Sequence, residues 1–230
     1  MSIKAMVFID GGWLYSNRTM LFQKLDEENG FEIDYAKLPR IICEDVANHL
    51  DEDVSLVRTN YFGTIPSARS GFNTSKQNAF YDFLEHRCSY ETEIHEVDVG
   101  GGVERSDSVW TKMALACSLL YYAAIPGVYD VAIIVGDAPE LAPAARRARL
   151  LGKRIQFVGV NPLEGGKSET IFAQPRICDF PPIYIDDHAA DMRLVRERRT
   201  RTCKQCGREE ETTWAGPDFF CSNCRGRYRS

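Results

Sequence analysis

Two short apolar runs do most to constrain how this chain can fold. Ala5-Met6-Val7-Phe8-Ile9 ends in Asp10-Gly11-Gly12, and Val131-Ala132-Ile133-Ile134-Val135 ends in Gly136-Asp137. Five apolar residues without alternation, stopped by turn formers, read as a strand buried on both faces. Such strands belong to parallel sheets covered by helices on either side. Helical spacing predicts the covering elements over 35–50, 74–87, 107–124 and 140–151, with Gly152 closing the last one. In the second of these, Phe80, Phe83 and Leu84 are expected to point inward. Further strands are predicted over 55–62, 92–99, 154–160 and 183–185. Strands that alternate with helices give an α/β domain, expected over residues 1–187. A basic linker over 188–202 and a small domain over 203–230 complete the expected organisation.

The C-terminal part is read from its cysteines. Cys203-Lys204-Gln205-Cys206 and Cys221-Ser222-Asn223-Cys224 are two Cys-x-x-Cys knuckles separated by fourteen residues. Four thiolates turned toward one ion complete a closed tetrahedral zinc site, a zinc ribbon, with no position left open for substrate. The ribbon has too few large apolar residues to fold without its metal. A redox role is the alternative, but neither knuckle opens a helix of a thioredoxin-like unit. The other four cysteines, Cys43, Cys88, Cys117 and Cys178, read as small buried residues.

Charge is unevenly spread. From Met192 onward ten Lys and Arg stand against five Asp and Glu, while the preceding residues hold 18 basic and 28 acidic. An acidic body with a basic tail grips a polyanion first through the tail, here Arg196, Arg198, Arg199 and Arg201. The alternative is a solvated linker. Trp214 in the ribbon can stack on single-stranded RNA or form the ribbon's small core around the metal, docking on a protein partner. No apolar run approaches the roughly 20 residues of a membrane span, and the first residues lack the layout of a signal peptide. A cytoplasmic location is expected.

The chemistry is expected where the two apolar runs end. In an open parallel sheet, ligands bind outside the carboxyl ends of the strands, where strand order reverses. Asp10 and Asp137 would meet there. Asp107 opens the helix leading into the second run, and Glu140 lies within about one turn of Asp137. Acids crowded in one crevice repel unless a cation lies among them, and magnesium or manganese suits oxygen ligands and phosphate substrates. Each acid also has a structural alternative: a helix cap for Asp107, a turn for Asp10, the positive end of a helix for Glu140.

Phe8-Ile9-Asp10-Gly11-Gly12-Trp13-Leu14, Glu32-Ile33-Asp34-Tyr35, Ser106-Asp107 and the stretch from Val135-Gly136-Asp137 through Ala138-Pro139-Glu140-Leu141-Ala142-Pro143 are motifs in a set order. Together with Ala148-Arg149-Leu150-Leu151-Gly152-Lys153-Arg154-Ile155, this order resembles the NYN branch of the PIN-like nucleases over about residues 3–185. The resemblance implies a Rossmann-like α/β/α sandwich and a metal-dependent endoribonuclease. Asp10, Asp107 and Asp137 would hold magnesium or manganese, and Glu140 would assist. The chain departs from the family pattern at three places. Trp13 replaces a frequent Asn, Pro139 precedes Glu140 where a second Asp is usual, and Met113 stands near a position often acidic. A catalytically weak NYN-like module that binds RNA or a protein partner through the ribbon is the alternative. Asp10-Gly11-Gly12 also resembles haloacid dehalogenase-like phosphatases, but Gly12 occupies the place of their second acid. Gly165-Gly166-Lys167-Ser168 imitates a P-loop but follows a late strand and lacks its first glycine.

Overall fold

The structure, a computed structural model, describes residues 2–23, 32–98, 107–136, 139–161, 177–194, 199–213 and 216–226. They divide into two compact units, Met1–Arg193 and Leu194–Ser230.

The first unit is built on β1 (Ile3–Asp10), α1 (Gly11–Gln23), α2 (Leu38–Leu50), β2 (Val54–Pro66), α3 (Ser75–Cys88) and β3 (Glu91–Val97), followed by α4 (Asp107–Ala124), β4 (Val131–Val135), α5 (Ala142–Leu150), β5 (Arg154–Gly159) and β6 (Ile183–Tyr184). The strands form one six-stranded sheet in the order β3-β2-β1-β4-β5-β6. Every neighbouring pair is parallel. β1 and β4 pair in register from Ala5 opposite Val131 to Ile9 opposite Val135. Successive side chains of a strand point to opposite faces, so a sheet covered on both sides needs the unbroken apolar runs seen in the sequence. Ala5, Val7 and Ile9 pack with Leu14 of α1, Leu38, Ile42 and Val46 of α2 and Leu84 of α3. Met6 and Phe8 pack on the other face with Leu115 and Leu119 of α4 and Ala145 and Ala148 of α5. Among the described residues no helix is long and apolar enough to cross a membrane.

Several expectations shift. Residues 11–23 form α1, where the sequence suggested only a turn. The helix expected over 140–151 begins as a 3-10 turn, Pro139–Leu141, before α5. Phe83 is exposed because α3 lays a narrow stripe on the sheet, and Leu84 fills it. Cys117 is exposed and Cys88 and Cys178 are half-buried, so Cys43 alone of the four is a core residue. The domain boundary falls between Arg193 and Leu194, because Ala189 and Met192 are buried in the first unit's core. The Asp34 N–H donates to the Met192 carbonyl at 2.7 Å. The expected linker also loses its far end, since Arg199–Thr202 forms β7 of the second unit.

The turn from β1 into α1 is held by close contact. A Cβ on Gly11 would lie 2.3 Å from Cζ of Tyr61. Tyr61 cannot swing away, because it is 4% exposed and wedged among Tyr35, Phe80 and Tyr81. Gly11→Ala is therefore expected to cost about 1–3 kcal/mol by overpacking. Gly12→Ala, whose Cβ would meet only Asp10 Oδ1 at an ordinary 3.5 Å, should stay within about 1 kcal/mol of wild type. Urea titrations of the two variants check this, and equal stabilities would refute the role given to Tyr61.

Candidate functional site

Strand order reverses between β1 and β4, the two central strands. Asp10 ends β1 there and is 3% exposed. Its Oδ1 accepts the N–H of Trp13 at 2.9 Å, so it caps α1 as well as facing the end of the sheet. β4 comes close at this point: a Cβ on Gly136 would lie 3.3 Å from the Cβ of Asp10. That approach is what the glycine before Asp137 permits. Asp137 itself lies outside the described residues. Asp107 opens α4, and its side chain is likewise outside them. Glu140 stands in the 3-10 turn after β4.

A lysine that the sequence reading did not single out joins these acids. Lys112 Nζ lies 3.3 Å from Glu140 Oε1. Burial pushes the Asp10 carboxyl above the ordinary carboxylate range, and the Glu140 charge adds to the rise. The N–H groups of Trp13 and Gly12 and the Lys112 ammonium act in the opposite direction. Glu140 is held below its ordinary range by a hydrogen bond from its own backbone N–H and by the hydrogen bond and charge of Lys112. The two acids and the lysine thus feel one another at the switch point. A signal for Lys112 was present in the sequence: it and Asp107 are the charged residues of the otherwise uncharged segment 107–124. Trp13, in the first turn of α1, is half-buried and packs against the core.

The second unit carries a separate site. β7 (Arg199–Thr202) and β8 (Glu209–Thr212) form an antiparallel hairpin, and α6 (Ser222–Gly226) follows Cys221. The sulfurs of Cys203, Cys206, Cys221 and Cys224 all lie within 4.8 Å of one another. Those of Cys206 and Cys221 are 3.6 Å apart. A tetrahedral zinc–thiolate site with bonds of about 2.3 Å has sulfurs about 3.8 Å apart, so the four fit such an ion. Two tight turns set this up. The Gly207 N–H donates to Cys203 O at 2.9 Å and the Cys224 N–H to Cys221 O at 3.0 Å. Backbone N–H groups, that of Cys221 first, pull the Cys203 thiol down to about 6. Cys224 is pushed up to about 12, chiefly by its hydrogen bond to Cys221. Opposite shifts in so small a cluster mean that it tolerates little negative charge without a cation, and a dication removes that limit. Cys203, Cys221, Cys224 and Phe219 make up the small buried core.

Of the basic and aromatic residues expected to meet RNA, the structure describes two, Arg199 and Arg201. Arg196, Arg198 and Trp214 lie outside the described residues. Arg199 is exposed on β7. Arg201 donates to the carbonyls of Gly216 at 2.9 Å and Pro217 at 3.2 Å, which ties the loop before Cys221 to the hairpin. One face of the hairpin carries Thr200 and Thr202 opposite Glu211 and Glu209, an acidic surface. Among the described residues, the four cysteines are the group of three or more ligand side chains close enough to share an ion.

No family model and no curated protein matches the chain. Among solved structures, the fold is similar to that of a protein of unknown function from Vibrio parahaemolyticus RIMD 2210633. The two share 15% identity with a TM-score of 0.55, over 84% of this chain and 97% of that one. At such identity the likeness concerns the fold alone.

Two expectations follow from the electrostatics. The raised Asp10 pKa means that the folded chain holds this proton more tightly than the unfolded one. The resulting stability is complete below the unfolded carboxyl value of about 3.9 and is lost as pH rises through the folded value. At neutral pH the ionised carboxylate is therefore a cost. Asp10→Asn removes the charge and keeps an acceptor for the Trp13 N–H. In magnesium-free buffer at neutral pH it should melt above wild type, by about 2–4 °C for each kcal/mol relieved. The gain should fade toward about pH 4, and a lower melting temperature at neutral pH would contradict it. The cysteine cluster leads to the second expectation. Purified protein should carry about one zinc per chain, and Cys221→Ser should release it. Elemental analysis that finds no zinc in wild type would count against the ribbon.

Proposed function

We propose that this chain is a metal-dependent endoribonuclease of the NYN type, with a zinc ribbon that is structural and helps engage RNA. One observation carries the reading: Asp10 and Glu140 lie at the carboxyl edge of the sheet, at the β1–β4 switch point where α/β folds of this strand order bind ligands. The motif order supplies Asp107 and Asp137 as further acids. The donor set is oxygen throughout, which suits magnesium or manganese rather than softer metals. When bound, such a cation supplies an activated water and offsets charge on the phosphodiester.

The chain's own residues have definable tasks. Asp10 is buried, caps α1 and is closely approached by Gly136. It can keep one geometry through the reaction, as an anionic ligand requires. Glu140, with 63% of its side chain exposed and Oε1 paired with Lys112, would orient water at the rim. Asp107 and Asp137 would complete the oxygen donors.

A second reading has one observation in its favour. Lys112 already neutralises Glu140, a pattern that also suits a binding module that has lost catalysis. Cleavage of mixed RNAs with and without manganese separates the two. Asp10→Asn and Asp137→Asn should each lower metal-dependent cleavage by orders of magnitude while the variants stay folded, and Glu140→Gln should lower it less. Wild-type protein that binds RNA but never cleaves it would favour the binding module. Asn variants that cleave like wild type would assign the activity elsewhere.

A further inference from the structure

The carboxylates at the switch point come with a cation of their own. α4 buries Thr111, Ala114, Leu115, Leu119 and Ala123 against the first unit. Lys112 stands three and seven residues before Leu115 and Leu119, so its stem runs along the flank of that buried stripe. Its side chain is 24% exposed against 63% for Glu140. A lysine placed in this way covers its methylenes and delivers the ammonium to one spot at the end of the stem. That spot is beside Glu140, with Nζ 3.3 Å from its Oε1, and the ammonium's charge is also felt at Asp10. On the exposed flank of the same turns stand Val109, Trp110 and Met113. They offer no charge, so within α4 the cation at this edge is Lys112.

Resting on the metal-site reading above, we propose that the Lys112 ammonium is the resident counter-ion of Glu140 and that its charge opposes a divalent cation held at Asp10 beside it. The pair of acids is neutralised in part before any metal arrives. For Glu140 to serve a metal it must leave Lys112, and the ammonium then faces an added like charge across a few ångströms. Lys112 therefore weakens metal affinity and makes metal release easier. Once freed from Glu140, it is also placed to meet a phosphate oxygen, the anion that arrives with substrate.

Titration of zinc-loaded full-length protein with Mn2+, read by electron paramagnetic resonance of the free ion, tests this without reference to activity. Lys112→Met should tighten Mn2+ binding by about tenfold or more. Lys112→Arg, which keeps the charge, should stay near wild type. Asp10→Asn should loosen binding whether or not Lys112 is present. Lys112→Gln, with a shorter polar side chain, gives the same readout should the Met variant fail to fold. If Lys112→Met binds Mn2+ as wild type does, or more weakly, while Asp10→Asn still loosens it, Lys112 is no competitor and the metal site survives without it. If wild type and all variants leave millimolar Mn2+ free, the metal reading falls and the counter-ion role falls with it.

Discussion

The backbone ladder between β1 and β4 lies at the centre of the sheet, covered by helices on both faces. Its N–H and C=O groups have no water to turn to, so they must pair with neighbouring strands. That requirement holds β1 against β4, side-chain packing fixes the register with Ile9 opposite Val135, and the register positions the residues at the switch point. A slip of one residue would reverse every side chain and force Met6 and Phe8 into the layer that Ala5, Val7 and Ile9 share with α1, α2 and α3. Because the ladder cannot slip, the residues that leave it, Asp10 on one strand and Gly136 on the next, are delivered side by side. The candidate site is a by-product of apolar burial, and its precision is inherited from the core.

A second constraint comes from the aromatic cluster behind the first turn. Tyr61, Tyr35, Phe80 and Tyr81 are packed edge-on or tilted, the arrangement aromatic rings favour. Tyr61 presses on Gly11 and so sets how sharply the chain leaves β1. The same turn brings the Trp13 N–H onto Asp10. The buried carboxylate is thus part of the local folding signal as well as a candidate ligand. The capping role accounts for an ionisable group at the end of an apolar strand.

The sequence revealed most where one kind of residue leaves few options. Unbroken apolar runs located β4 to the residue, and the α4 limits agree with the 107–124 reading. The four cysteines were legible as a cluster because their spacing suits a single ion, and the structure brings their sulfurs together. α1 was harder to see, because Gly11 and Gly12 at its start look like a stop. What makes them helical is the Asp10 cap and the pressure of Tyr61, which is distant in sequence. Phe83 misled because helical period cannot tell how wide a stripe the sheet will cover. Lys112 was visible as an isolated charge in an apolar helix, but its partners depend on which flank of α4 faces the sheet end. That Arg201 also closes a loop was not legible, since its carbonyl partners lie beyond the hairpin it belongs to.

β3 stands at one margin of the sheet, with Glu91, Glu93 and Glu96 exposed along it. An open strand edge is a template on which another chain can add itself. A copy of this protein approaching edge to edge would bring its own row of carboxylates against this one, and the repulsion would meet it before any backbone bond could form. Glu91 is partly answered by Arg58 from within the same chain, but Glu93 and Glu96 keep the margin negative. Among the described residues, the charge on that side opposes growth of the sheet, and self-association by strand addition there is disfavoured.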